Sequence, residues 1–548
     1  MSIYSIGVSG MNAAQVALAA AGNNIANVYT PGYNREVVQL SSNLQGSGVD
    51  VSATARQFSQ FISSQLNQAV SRESALTSYQ SQIGQIDSLM ADNTAGLAPL
   101  VQEFFSAIQD VVSTPSDPAA RQGLIGSAET LAGQFRAFGS YFEEMRTAIN
   151  NQIKDQVTQI NNIATQLADV NKQITLVKGK SSEEPNGLLN ERDRLISELS
   201  GYVDTKVVKQ DGESYNVSIG DGLSLVSGST SFKLAALPAS ADPTRVVIGY
   251  RDSLGNIVEL GEDYFNNGEL GGVLSFRSEA LDEVQNQLGQ LAASLAMAMN
   301  EVHQKGINLD NEIGQAMFSV GSPQSFSNRN NESDAYLAVE FNVDKRADLA
   351  ATDYEVVYSP DNQNATAGFV VRRTDSGAQV TPTLSTNAEG NSVLEFGGLT
   401  VTVKGTVAAG DSFRVQPLRN AAAGFESLIK EVDKIAAAKQ ASSPGDNSNA
   451  LDLLALQEDV TVVAGGGTIS QAYAGMIGNI GNRTNIVNSN LSAQTGLVKQ
   501  LSSVQQSESG VSLNEEGANL MRYQLYFQAN AKLIEVATNV FDSLLAIR

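Results

Sequence analysis

The chain has 548 residues, enough for three or four domains with sizeable cores, and a formal net charge of -23. That charge argues against nucleic acid, whose phosphates need a basic surface. It contains no Cys and no Trp, which excludes disulfides and thiol chemistry, and no apolar run approaches the ~18 residues of a membrane span.

The first element is a heptad helix. Tyr4, Met11, Leu18 and Ile25 recur at seven, with the small residues Gly7, Ala14 and Ala21 between them, and no charged residue precedes Arg35. A basic leader is absent and the apolar stretch around Ala19 is short, so a cleaved signal peptide is not expected. GNNIANVYTPGYNR follows, with a Pro31-Gly32 turn signal, and VVQL with GVDVSA reads as a short hairpin. One asparagine at a helix end is an ordinary cap. Three within five residues, Asn23, Asn24 and Asn27, followed by Tyr33 and Arg35, point to polar contacts with neighbouring subunits.

Helical patterns run from Arg56 to Met90 and from Leu97 to Val112. Asp117-Pro118 pairs a cap with a first-turn proline and opens a helix predicted to reach Val177, with Ile153, Ile160, Leu167 and Ile174 repeating at seven. Another helix starts at Asn186. Alternating apolar and polar residues then predict strands from Tyr202 to about Ser275, a helix from Ser275 to Gly306, a second strand block from Ala335 to Leu418, and helices again from Ala421. Gly465-Gly466-Gly467 breaks this last helical run and has no Lys-Ser/Thr of a phosphate loop.

The closing stretch carries the strongest pattern. Leu513, Leu520, Phe527, Ile534 and Phe541 lie seven apart, Glu516, Tyr523, Asn530 and Ala537 fill the companion positions, and Leu544 follows. That is a coiled-coil seam requiring a partner helix, and the first helix is the candidate. The expected fold is a multidomain α+β chain with terminal coiled-coil helices and a long-helix stem built from both chain ends, carrying two inserted β-rich domains. Its expected units are 1–55 with 505–548 as an axial domain disordered in the free monomer, 56–201 with 276–334 and 419–504 as the stem, and 202–275 and 335–418 as the insertions. The predicted subunit-interface residues are Tyr4, Met11, Leu18, Ile25, Asn23, Asn24, Asn27, Tyr33, Arg35, Leu513, Leu520, Tyr523, Phe527, Ile534, Phe541 and Leu544.

Nothing singles out catalysis. His303 is the lone histidine and reads as a core residue or a partner for a helix C-terminus. In NLDNEIG, from Asn308, the glycine falls one position late for a calcium loop and no glutamate follows at the required spacing. Adjacent acids such as Glu143-Glu144 are expected on a solvated face. Neither an enzyme nor a cofactor or metal is expected.

NNIANVYTPGYNR at Asn23 together with the C-terminal heptad helix resembles the bacterial flagellar axial family of rod, hook and hook-associated proteins. The likeness is narrower to its hook-associated members, through DPAARQGLIGSAETL from Asp117, NGLLNERDRLISELS from Asn186, LGGVLSFRSEALDEVQNQLGQLA from Leu270, ATDYEVVYS from Ala351, GDSFRVQPL from Gly410 and SGVSLNEEGANLMRYQLYFQANAKLIEVATNVFDSLLAIR from Ser509. NGLLNERD departs from the family's NDLLDQRD-like segment at Gly187 and Asn190. The resemblance implies a structural adapter exported through the flagellar type III apparatus without a cleaved leader, with an export chaperone. It implies an extracellular ring at the distal end of the hook that contacts hook protein, further copies of itself and hook-associated protein 3, and so joins hook to filament. Another axial subunit, of rod or hook, is the alternative.

Overall fold

A computed structural model describes residues 3–42, 48–90, 96–180, 184–210, 214–220, 222–252 and 255–546. Ten α-helices are described: α1 (Ile3–Ala26), α2 (Gln60–Met90), α3 (Leu97–Ser113), α4 (Pro118–Lys178), α5 (Asn186–Tyr202), α6 (Gly268–Phe276), α7 (Asp282–His303), α8 (Ser448–Ala455), α9 (Ile469–Ser509) and α10 (Leu513–Ala546). Between α1 and α2, β1 (Glu36–Ser42) and β2 (Val49–Arg56) form an antiparallel hairpin.

The 61-residue α4 is the axis of the stem, about 90 Å long at 1.5 Å per residue. It starts as its sequence dictates: the Asp117 carboxylate accepts from the Ala119 N–H, and Pro118 occupies the first turn. Its heptad stripe, Ile153, Ile160, Leu167 and Ile174, is buried. Helix α9 opens with a full capping box between Thr468 and Gln471, preceded by Gly465 and Gly466 at φ of 100° and 79°.

Seven strands between Thr205 and Glu259 make a four-stranded and a three-stranded antiparallel sheet, whose buried side chains merge with the stem core. A second β region is a two-sheet sandwich. The strands Gln324–Ser327, Ser412–Gln416, Tyr354–Tyr358, Phe369–Arg373 and Gln379–Val380 face Tyr336–Phe341, Leu399–Lys404, Ser392–Phe396 and Thr383–Thr386. Val356, Val371 and Val415 meet Leu394, Leu399 and Val401 in a separate core, which seats on Ala293 and Met297 of α7.

Two expectations are corrected. Strands of the first β region end at Glu259 and helix begins at Gly268, because GELGGVLSF, counted with the strand block in the sequence, is a close-packed helix: a Cβ on Gly272 would collide with the Ala75 carbonyl of α2. Helices do not resume at Ala421. Residues 421–447 form an irregular strap with one two-residue strand, Glu426–Ser427, and one short 3-10 turn. Tertiary burial overrides helix propensity there. Phe425 packs between Phe135 and Phe318, with ring centroids at 4.8 and 4.9 Å, and the Arg121 guanidinium donates to the Val432 and Ile435 carbonyls. His303 is part of the same lock. Its Nδ1–H donates to the Gln315 carbonyl at 2.6 Å, its Nε2 accepts from the Ala436 N–H at 2.9 Å, and burial pushes its pKa down, so the ring is a neutral core residue.

The charged side chains between the two β regions meet on α7. A π-turn, Arg277–Leu281, links α6 to α7 and delivers Asp282 to a junction. Asp282 pairs with Arg245 of the first β region at 2.6 Å and with Arg419, just past the second, at 2.9 Å. Arg419 also clasps Asp353 at 2.6 Å, and Arg277 and Arg245 share Glu262.

Candidate assembly interface

Helices α1 and α10 pair within the chain, and they run antiparallel. Gly7 lies opposite Asn530 and Ile534, whereas Arg35, beyond the other end of α1, bonds Glu515 and Glu516 at the start of α10. The approach is close because α1 has little side chain at the contact. A Cβ on Gly7 would sit 2.7 Å from Ile534 Cγ1, and one on Gly10 would overlap the Asn530 carboxamide.

The face of α1 that is buried is therefore the small one: Gly7, Ala13, Ala14, Ala17, Ala20, Ala21 and Asn24. Of the larger heptad residues, Tyr4 is exposed and Met11, Leu18 and Ile25 are half-buried. On α10, Leu520, Tyr523, Phe527 and Ile534 are partly covered, Leu513 is exposed, and Phe541 and Leu544 overhang the described part of α1, 61% and 64% exposed.

The asparagine cluster ties the hairpin to this pair. Asn24, 1% exposed, imitates a strand: its amide donates to the Glu36 carbonyl and its oxygen accepts from the Glu36 N–H, both at 2.9 Å, and from the Tyr33 hydroxyl at 2.8 Å. Asn23 donates to the Tyr33 oxygen and to the Glu36 carboxylate, and Asn27 donates back to Asn23. The Asn24 amide is thus fully engaged inside the chain, while Asn23 is exposed and Asn27 half-exposed. Burial, with Glu36 and Glu516 nearby, pushes the Tyr33 pKa up, so the phenol keeps its proton and donates. Arg35 closes the arrangement, with its N–H on the Ser509 carbonyl at 2.9 Å and its guanidinium at 2.6 Å from buried Glu516.

Part of what remains open to solvent is apolar. The groove between α1, the hairpin and α10 has a volume of about 290 Å³ and is lined by Ile6, Ala13, Leu40, Val49, Tyr523 and Tyr526. On α10, Met521, Leu525, Val536 and Val540 are all exposed, and at 100° per residue they form a second stripe on the side away from α1. Ile3, Ile6, Val16, Val37 and Leu40 are exposed as well, and Tyr29 is 87% exposed. Monomeric proteins seldom leave this many large apolar side chains bare on one element, here with Arg522 and Lys532 among them. Counting heptads isolates the seam and misses this second stripe, whose i, i+4 spacings at 521, 525 and 536, 540 are its only sequence signal.

Among the described residues no three His, Cys, Asp or Glu side chains come together as a metal site, and no helix is long and apolar enough to cross a membrane.

Comparison with known proteins agrees over the whole chain. Residues 83–318 match the family described as flagellar hook-associated protein FlgK helical domain, residues 326–417 flagellar hook-associated protein 1, D2-like domain, and residues 5–34 flagella basal body rod protein. Flagellar hook-associated protein 1 of Escherichia coli strain K12 is 39% identical over 557 residues, and that of Salmonella typhimurium strain LT2 is 40% identical over 563, with all of both chains covered in each case. The structure of the flagellar hook junction protein FlgK from Burkholderia pseudomallei superposes with a TM-score of 0.74 at 26% identity, over 81% of this chain and all of that one.

Proposed function

Because the chain belongs to the flagellar hook-associated protein 1 family, we propose that it is a non-enzymatic structural adapter, assembling as a ring at the distal end of the hook and joining hook to filament. The observation that carries this reading is the apolar surface left bare on the α1–α10 pair of a chain whose net charge is -23. Where the outer regions repel one another, copies associate through the one part that carries little charge. Hook protein would lie on one side of the ring and hook-associated protein 3 on the other, after export through the flagellar apparatus with a dedicated chaperone.

The proposed division of labour assigns 1–55 with 505–548 to the axial contact, 56–201 with 276–334 and 419–504 to the stem, and 202–275 and 335–418 to the outer surface, except that α6, packed on α2, moves to the stem. Within the axial unit the predicted interface residues divide in two. Tyr4, Leu513, Phe541 and Leu544 are exposed on the side offered to neighbours, and Met521, Leu525, Val536 and Val540 join them. Asn24 and Arg35 hold the unit in shape.

The test is replacement. In a bacterium lacking its hook-associated protein 1, this chain should restore filaments on hooks; export of the chain with filament subunits still shed into the medium would refute the reading. The monomer offers a second check. With its seam only half covered, the α1–α10 pair should exchange its amide hydrogens at least about 100-fold faster than the centre of α4, because opening exposes little additional apolar surface. Equal protection in the two would show that the pair is complete without neighbours.

A further inference from the structure

The segment NGLLNERD at the start of α5 touches the loop after α1, the hairpin and the first β region. Asn186 donates its amide to the Thr54 carbonyl of β2 at 2.9 Å. Asn190, 8% exposed, accepts at Oδ1 from the Asn34 amide at 2.8 Å and from the Arg56 guanidinium at 3.2 Å. Asp193 pairs with the same guanidinium at 2.6 Å, and Arg56 also lies over the Phe58 ring at 4.4 Å. Arg194, held between Glu191 and Glu198, supports the loop that leaves α1: Gly32, at φ 78°, passes so near that a Cβ would lie 3.1 Å from Arg194 Cβ. In the opposite direction Arg192 stacks on Tyr215 of the first β region, 3.4 Å from its ring centroid. Gly187, by contrast, has open space around it.

We propose that this face of α5 is the joint that sets the angle of the α1–α10 pair on the stem, and that Asn190 is its positioning residue, acting through Asn34 and Arg56. The proposal rests on the adapter reading and adds where the orientation of the axial unit is decided. Leverage makes this matter. The 34-residue α10 spans about 50 Å, so a tilt of roughly 10° at the joint moves its far end by about 9 Å, nearly a helix diameter. Copies meeting at that end would lose their register.

The experiment compares Asn190→Leu with Asn190→Asp in the full-length chain. Leucine preserves the volume and removes the acceptor, whereas aspartate keeps an acceptor for both the Asn34 amide and the Arg56 guanidinium. Each variant is expressed in cells lacking their own copy, and exported chain and filament-bearing hooks are counted. Asn190→Leu is expected to be exported normally while filament-bearing hooks fall about ten-fold, and Asn190→Asp to stay within about two-fold of the unmodified chain. Asn34→Leu, which strips the joint from the hairpin side, should reproduce the loss. Normal attachment by either leucine variant, or equal loss in the aspartate variant, would overturn the joint. Failure of the adapter reading looks different: the unmodified chain would not restore filaments at all.

Discussion

Glutamate in place of Leu525 or Val536 should abolish filament attachment while leaving the melting temperature of the purified monomer within about a degree of the unmodified chain. Leu525 is 63% and Val536 48% exposed on the side of α10 away from α1, so in the free chain the new carboxylate stays in water and stability moves by no more than about 0.5 kcal/mol. In an assembled ring the same carboxylate would be buried without a partner, a penalty of several kcal/mol at every copy. Gln524→Glu, on the polar side of the same helix, supplies the control and should attach filaments normally. Counting filament-bearing hooks decides the matter; ordinary filaments with Leu525→Glu would mean that this stripe faces solvent in the assembly.

The second large effect belongs to stability. Asp282→Ala removes the carboxylate that faces both Arg245 and Arg419, and thermal or denaturant unfolding should show a loss of about 3–5 kcal/mol because two poorly solvated guanidinium groups are left short of a partner. The acid limb of stability follows from the same site. Burial disfavours the charged form of Asp282, but the Arg419 and Arg245 guanidinium groups outweigh it and hold the carboxyl at about 2 against an ordinary 3.8. A depressed folded-state pKa contributes stability that is present above the unfolded value and is lost as pH falls through the folded one. Roughly 2 kcal/mol should therefore disappear between about pH 4 and pH 2, and the Asp282→Ala chain should show a correspondingly flatter acid limb. An unchanged midpoint at neutral pH would show that the modules hold without this charge.

Local patterns carried most of the architecture, since a heptad stripe or a cap is written in a few neighbouring residues. Asp117-Pro118 starts α4 as expected, and the long stripes of α4 and α10 are helical throughout. The pairing of α1 with α10 was legible, with Gly7 among the small residues between the heptad positions, whereas Gly10, which lies against Asn530, carries no weight in a hydrophobic pattern. Residues 421–447 look helical by composition and become a strap only because Phe135, Phe318 and Arg121 receive them. Such partners are far away in sequence, Arg121 by 314 residues from Ile435. Arg245, Asp282, Asp353 and Arg419 are likewise ordinary surface-type residues until the fold makes them one site. At the interface, an asparagine cluster signals polar bonding without saying to whom: Asn24 turned inward to Glu36 and Tyr33.

Helix α1 has its partner helix about five hundred residues downstream, in α10. A chain interrupted anywhere before Leu513 leaves α1 with its glycine and alanine face bare and Arg35 without Glu515 and Glu516. Neither the seam nor the outer stripe of α10 exists until the last segment has been delivered. In the adapter proposed above, a truncated copy would therefore lack the surface that meets its neighbours, however well its stem had formed, and completeness of the chain would be a condition of joining the assembly.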